Sequence, residues 1–208
     1  MRRKGWLIGL LLLALLLAAC GKQPEPFSDD FSDPASGWGA ASRDDFARGY
    51  ENGRYQIRVD APGLFVWTTH PPRYRDVSVS LTVIAEGNPD NHYGLICRAG
   101  EEGFYYFAVS TDGYYGLFRA DGEGHLIPLQ GVGMRFTSLL STGENHLRAE
   151  CNGTKLSLYI NGERVGEPLE DDALEEGEVG FGAGLNTKEG SATFYFDDFE
   201  ATPLGGER

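Results

Sequence analysis

Side chains that alternate between apolar and polar at a period of two, broken at short intervals by Gly-bearing turns, constrain this chain more than any other feature. The alternation is densest in HYGLICRAGEEGFYYFAVSTDGYYGLFRADG, residues 92–122. Three runs there, His92–Ala99, Phe104–Ser110 and Tyr114–Ala120, are rich in aromatic and β-branched residues, as consecutive antiparallel strands are. Their connections, Gly100-Glu101-Glu102-Gly103 and Thr111-Asp112-Gly113, are short enough to force neighbouring pairing into a β-meander. Hairpin pairing sends alternate side chains to opposite faces. Tyr93, Leu95 and Cys97 therefore share one face, and His92, Gly94, Ile96 and Arg98 share the other.

The same pattern continues on both sides. Asp45–Glu51 and Arg54–Val59 flank Asn52-Gly53, a tight hairpin signal, and Leu64–Thr69 is an apolar run closed by Pro71-Pro72. Val77, Val79, Leu81 and Val83 alternate with Ser78, Ser80 and Thr82, giving a strand with one dry side. Beyond the meander, Leu126–Gln130, Asn145–Cys151, Lys155–Ile160, Glu178–Leu185 and Ser191–Ala201 read as further strands, with Asn152-Gly153 and Asn161-Gly162 as turns. One helical turn is expected near Asp171–Glu176. About a dozen strands, 29 glycines and no helical crossovers predict an all-β fold, an antiparallel two-sheet sandwich in one domain.

The first residues read as a targeting segment. Arg2, Arg3 and Lys4 precede Leu7–Ala19, a run of 13 residues that is too short to span a bilayer. Leu17-Ala18-Ala19-Cys20, followed by Gly21, resembles the lipobox of bacterial lipoproteins, and the resemblance implies that residues 1–19 are removed and that Cys20 carries the lipid. The expected location is the extracytoplasmic face of a bacterial membrane, with the chain anchored to it by several acyl chains and not spanning it. Residues 20–26 form the lipidated Cys and a short tether, 27–204 the sandwich and 205–208 a tail. Without the leader, 15 basic residues face 31 acidic ones, a formal charge of −16. Such a surface disfavours nucleic acid and anionic headgroups as partners and is compatible with neutral ligands or cations.

The stretch NHLRAECNGTKLSLYINGERVGE, residues 145–167, with the glycine-rich Glu178–Leu185 strand and the closing Ala192–Glu200 strand, resembles the concanavalin A-like lectin/glucanase superfamily. Within it the chain is similar to laminin-G-like domains and to domains of the 3-keto-disaccharide hydrolase kind. Asp30-Phe31-Ser32-Asp33 and Phe196-Asp197-Asp198-Phe199 look like the paired first and last strands of such jelly rolls. The resemblance implies a jelly-roll sandwich whose concave sheet binds carbohydrate. One such sandwich hosts binding modules, hydrolases and scaffolds alike, so it does not choose among them.

Four sets of residues are candidates for function. Trp67, His92, Arg98, Tyr106 and Tyr114 are placed by alternation on the outward side of the meander and its neighbours, where flat rings beside polar groups suit a sugar. A one-residue slip in register would make the tyrosines packing residues instead. Asp30, Asp33, Asp197 and Asp198 are carboxylates that a jelly roll brings together, either as a structural Ca²⁺ site or as edge and turn residues. No other cofactor is implied. A laminarinase-type Glu-x-Asp-x-x-Glu pattern is missing, with Asp198-x-Glu200 the nearest fragment, so that kind of glycosidase is disfavoured. His70, His92, His125 and His146 have no metal-ligand spacing. Cys97 and Cys151 lie on inward faces and are expected to pair in an oxidising compartment, two separate buried thiols being the alternative. The expected function is a non-catalytic, carbohydrate-binding surface module, with a glycoside-active enzyme or a protein-docking domain as the alternatives.

Overall fold

Segments that alternate at a period of two become strands, and the turns between them hold the residues that sharp antiparallel reversals require. The computed structural model describes residues 24–131, 133–186 and 190–205. The leader and Cys20 lie outside the described residues. Among them are β1 (Phe27–Asp29), β2 (Ala41–Ser42), β3 (Phe46–Glu51), β4 (Arg54–Val59), β5 (Phe65–Tyr74), β6 (Val77–Gly87), β7 (Asn91–Gly100) and β8 (Gly103–Ser110). There follow β9 (Tyr114–Ala120), β10 (Leu126–Pro128), β11 (Arg135–Phe136), β12 (Asn145–Asn152), β13 (Lys155–Ile160), β14 (Glu163–Glu170), β15 (Gly177–Leu185) and β16 (Ala192–Pro203). Asn52-Gly53 and Asn161-Gly162 join β3 to β4 and β13 to β14 with φ of 51° and 76°, and of 51° and 87°. Two successive positive φ values are what a type I′ reversal demands.

The strands form an antiparallel two-sheet sandwich. Nine make the first sheet, in the order β14-β13-β12-β6-β16-β4-β3-β2 with β1 beside β16. Seven make the second, in the order β10-β9-β8-β7-β15-β5 with β11 beside β9. The expected meander is the β7-β8-β9 portion of the second sheet, with Tyr93 opposite Val109 and Ser110 opposite Tyr114. First and last strands pair, Phe27 opposite Ala201 and Asp29 opposite Phe199, but the first strand ends before the expected Asp30–Asp33 stretch.

The dry faces meet between the sheets. Ile57 of β4, Leu81 of β6 and Leu147 of β12 pack in one buried cluster with Leu95, Phe107 and Phe181 of the second sheet. Each such side chain contributes roughly 1.5–3 kcal/mol on burial. Cys97 of β7 and Cys151 of β12 are bonded across this interior, with Cα atoms 6.9 Å apart.

Two local expectations are corrected. Pro71-Pro72 does not close the fifth strand, because β5 continues through it to Tyr74 with a cis peptide between the prolines. β5 is an edge strand, where a missing N–H leaves no ladder bond unmade. Asp171–Glu176 is not a helical turn. The Leu174 and Glu176 carbonyls accept from Arg98 and Arg73, while the Asp171 carboxylate accepts from the Ala173 N–H. Together with the Leu174 N–H, which donates to the Tyr105 hydroxyl at 3.1 Å, these long-range partners fix the segment in an irregular course.

Candidate functional site

The outward face of the second sheet is paved with rings. Val179, Phe181, Ala183 and Leu185 of β15 point into the core, so Glu178, Gly180, Gly182 and Gly184 point outward. A Cβ at Gly182 would lie 2.7 Å from Phe65 Cε2, and one at Gly184 would lie 2.5 Å from His92 Nε2. These glycines let the rings of Phe65, Trp67 and His92, carried by the neighbouring strands, lie across β15. The rings continue into Phe104, Tyr106 and Phe118, with centroids 4.7 Å apart for Phe65–Tyr106, 5.5 Å for Trp67–Phe104 and 6.4 Å for Tyr106–Phe118.

Part of this face is a second, smaller core. Residues 121–131 and 133–136 fold back over it through β10 and β11, both paired to β9, and lay Leu126 and Met134 on the rings. Tyr106 is fully buried and its hydroxyl donates to the Gly182 carbonyl at 3.4 Å. That hydroxyl lies 3.0 Å from His92 Nδ1, which donates to it in the Nδ1–H tautomer. Burial pushes the Tyr106 hydroxyl well above its ordinary pKa and lowers the His92 imidazole to about 4, so both are neutral at pH 7. Trp67 and Phe65 are half-buried, and Tyr114 is exposed.

Where the cover ends, a cavity of about 450 Å³ opens over His92, Phe118 and Met134. Its polar lining comes from Ser110, Asp112 and Asn186, and Tyr114 stands at its side. One buried residue ties these loops together. Asn91 donates to the Asn88 carbonyl at 2.7 Å and to Thr111 Oγ1 at 2.9 Å, accepts from the Thr111 N–H at 3.2 Å, and its carbonyl accepts from Asn186 Nδ2 at 3.3 Å. Ser110 Oγ–H donates to the Asp112 carboxylate.

His92 and Tyr114 therefore share one cavity, Tyr106 lies beneath its floor, and Trp67 belongs to the same paved face further along. Arg98 does not. A bulge between Cys97 and Gly100, with Arg98 at φ 55°, turns this side chain away from the outer face that simple alternation assigned to it. It is 3% exposed and donates to the carbonyls of Arg75 (2.8 Å), Leu174 (2.9 Å) and Gly153 (2.7 Å) and to Asp76 Oδ1 (3.4 Å). Phe65, Phe104 and Phe118 were missed, although Phe104 and Phe118 obey the same alternation as Tyr106 and Tyr114. Ser110, Asp112, Met134 and Asn186 carried no signal in the sequence, because only the folded loops bring them together.

The chain-end pairing brings Asp30 and Asp198 to one surface recess, where the Asp30 carboxylate has local partners. Asp30 accepts from the Ser32 N–H and Oγ–H at 3.0 and 2.6 Å, which holds it below the usual carboxylate range, and Asp33 accepts from the Ala35 N–H at 2.9 Å. Asp197 pairs with Arg54 at 3.5 Å, and burial lifts it above that range. Among the described residues no three His, Cys, Asp or Glu side chains are grouped to hold a metal ion.

No family model and no curated protein sequence matches this chain. Solved structures do match its fold. A protein of unknown function with a galectin-like fold from Bacillus subtilis aligns at a TM-score of 0.63 and 11% identity, over 89% of this chain and 99% of that one. The carbohydrate binding module CBM66 from Bacillus subtilis aligns at 0.50 and 15% identity, over 87% and 97%. A sialidase aligns at 0.60 and 13% identity over 88% of this chain, which spans only 19% of the sialidase. At such identities the likeness establishes the fold, a galectin-like jelly-roll sandwich.

Proposed function

We propose that this chain is a carbohydrate-binding module, held outside a bacterial membrane by lipid on Cys20, that binds sugars without cleaving them. The observation that carries the reading is the cavity beside the ring-paved face of the second sheet, where apolar rings form the floor and Ser110, Asp112 and Asn186 supply polar groups at the edge. Apolar floors with a few convergent polar groups are how small-molecule sites are built, and aromatic faces accept the C–H faces of sugar rings. The solved structures of like fold include a carbohydrate binding module, which supports the same reading.

Glycosidase chemistry gains no support from this face. It requires two carboxyl groups within roughly 5–9.5 Å of each other across the scissile bond. Glu178, which accepts from Thr69 Oγ1 at 2.7 Å, and Asp112 lie towards opposite ends of β15. The strand between Glu178 and Gly184 alone spans roughly 20 Å at the usual rise per residue.

A glycan array probed with the protein, followed by sugar-release assays on whatever binds, tests the reading. Binding without release is expected; release of sugar, or no binding to any glycan, overturns it. The anchor is tested separately by feeding cells a labelled fatty acid. Label should enter the wild-type chain and be absent from Cys20→Ser.

A further inference from the structure

The geometry points to an uncharged oligosaccharide, taken in two consecutive positions: one ring inside the cavity over His92, Phe118 and Met134, the next laid on the Tyr114–Phe136 pair at its mouth. This rests on the carbohydrate reading above and adds to it the ligand's charge and length.

The charge follows from what lines the cavity. Among the described residues that border it, none is Arg or Lys, and the one ionised group is the Asp112 carboxylate. His92 adds no positive charge, since its imidazole is buried and neutral above about pH 5. A carboxylate accepts hydrogen bonds from sugar hydroxyls but repels a uronate or a sialate brought within a few ångströms. The acidic surface as a whole, −13 over the full chain, lowers the local concentration of anionic ligands further.

The length follows from the mouth. At about 450 Å³ the cavity falls near the small end of the range for ligand sites, enough for one or two sugar rings. At its rim the lining residue Tyr114 is 40% exposed, and Phe136 beside it is 69% exposed, with their rings edge to face at 5.9 Å. Backbone contacts fix this pair in place. Phe136 pairs with Tyr114 across β11 and β9, the Thr137 N–H donates to the Gly113 carbonyl at 2.8 Å, and a Cβ at Gly113 would sit 3.1 Å from the Phe136 ring. An exposed ring held this firmly next to a cavity is pre-organised, so binding a second sugar ring there orders little that is not already ordered.

Titration calorimetry on the full chain in detergent tests this with neutral gluco-, xylo-, manno- and galacto-tetrasaccharides, their monosaccharides, lactose against sialyllactose, and tetragalacturonate. At least one neutral tetrasaccharide is expected to bind, and its acidic counterparts should bind at least about tenfold more weakly. Phe136→Ala should weaken the tetrasaccharide by about tenfold and leave the monosaccharide unchanged, and Asp112→Ala should weaken both. Acidic glycans binding as tightly as neutral ones, or a Phe136→Ala variant with unchanged tetrasaccharide affinity, overturns this inference and leaves carbohydrate binding standing. If no saccharide of either charge binds, carbohydrate binding itself falls. Phe136 is a surface residue, and an unchanged urea midpoint for Phe136→Ala separates loss of contact from loss of fold.

Discussion

Arg98 and His92 sit six residues apart on one strand, and each is governed by what its own side chain meets. Arg98 bridges Asp76 and three carbonyls from segments far apart in the chain, with its charge almost fully removed from water. Burial lowers its pKa and the Asp76 carboxylate opposes that; an arginine guanidinium keeps its proton in proteins. Arg98→Met strands Asp76 and the carbonyls, and should destabilise the fold by about 3–5 kcal/mol in urea unfolding. Arg98→Lys should recover little of this, because an ammonium cannot reproduce the planar fork. His92 has a folded-state pKa of about 4 against 6.5 when free, because burial disfavours its charge. Its contribution is therefore fully present above about pH 6.5 and is lost as the pH falls towards 4, by up to about 3 kcal/mol. His92→Gln should flatten that part of the stability–pH curve, and a wild-type imidazole that titrates near 6.5 would refute the assignment.

β15 is the element on which the candidate site depends. Its inward residues fill the core, and its outward glycines leave room for rings from β5 and β7 on either side. Gly182→Val places methyl groups where Phe65 and Trp67 now lie, and should destabilise the protein by about 1–3 kcal/mol while reducing any sugar affinity. Urea midpoints and calorimetry measure the two effects, and a variant as stable as wild type would mean that the paving is loose. The cover carrying Leu126 and Met134 matters as much, since it divides the face into a closed part over Tyr106 and an open part beside Tyr114.

Across the whole molecule, one covalent bond ties the two layers together. The Cys97–Cys151 disulfide joins β7 of the seven-stranded sheet to β12 of the nine-stranded one, across a sequence separation of 54. Closing a loop of that size restricts the unfolded chain by about 4 kcal/mol on the entropic account. Replacing both cysteines by Ala should lower stability by about 2–5 kcal/mol, and the denatured wild-type domain should show no free thiol at either position. A thiol titre of two per chain from these positions would contradict the bonded pair. An acidic exterior suits a protein that stays soluble beside an anionic membrane while tethered to it through Cys20, as proposed above.

Strands, hairpins and their two faces were legible in the residues because the period of two and the turn chemistry of Asn52-Gly53 and Asn161-Gly162 are local properties. The same alternation put Cys97 and Cys151 on inward faces and His92, Tyr106 and Tyr114 on the outward one. It failed at Arg98, where a bulge breaks the period and long-range carbonyls capture the side chain. Nor did it reveal that β15 lies between β7 and β5, that Leu126 and Met134 cover part of the outer face, or that Asp112 and Asn186 border one cavity. Those facts depend on which distant segments pair, and a local repeat says which way a side chain faces but not what will come to lie against it.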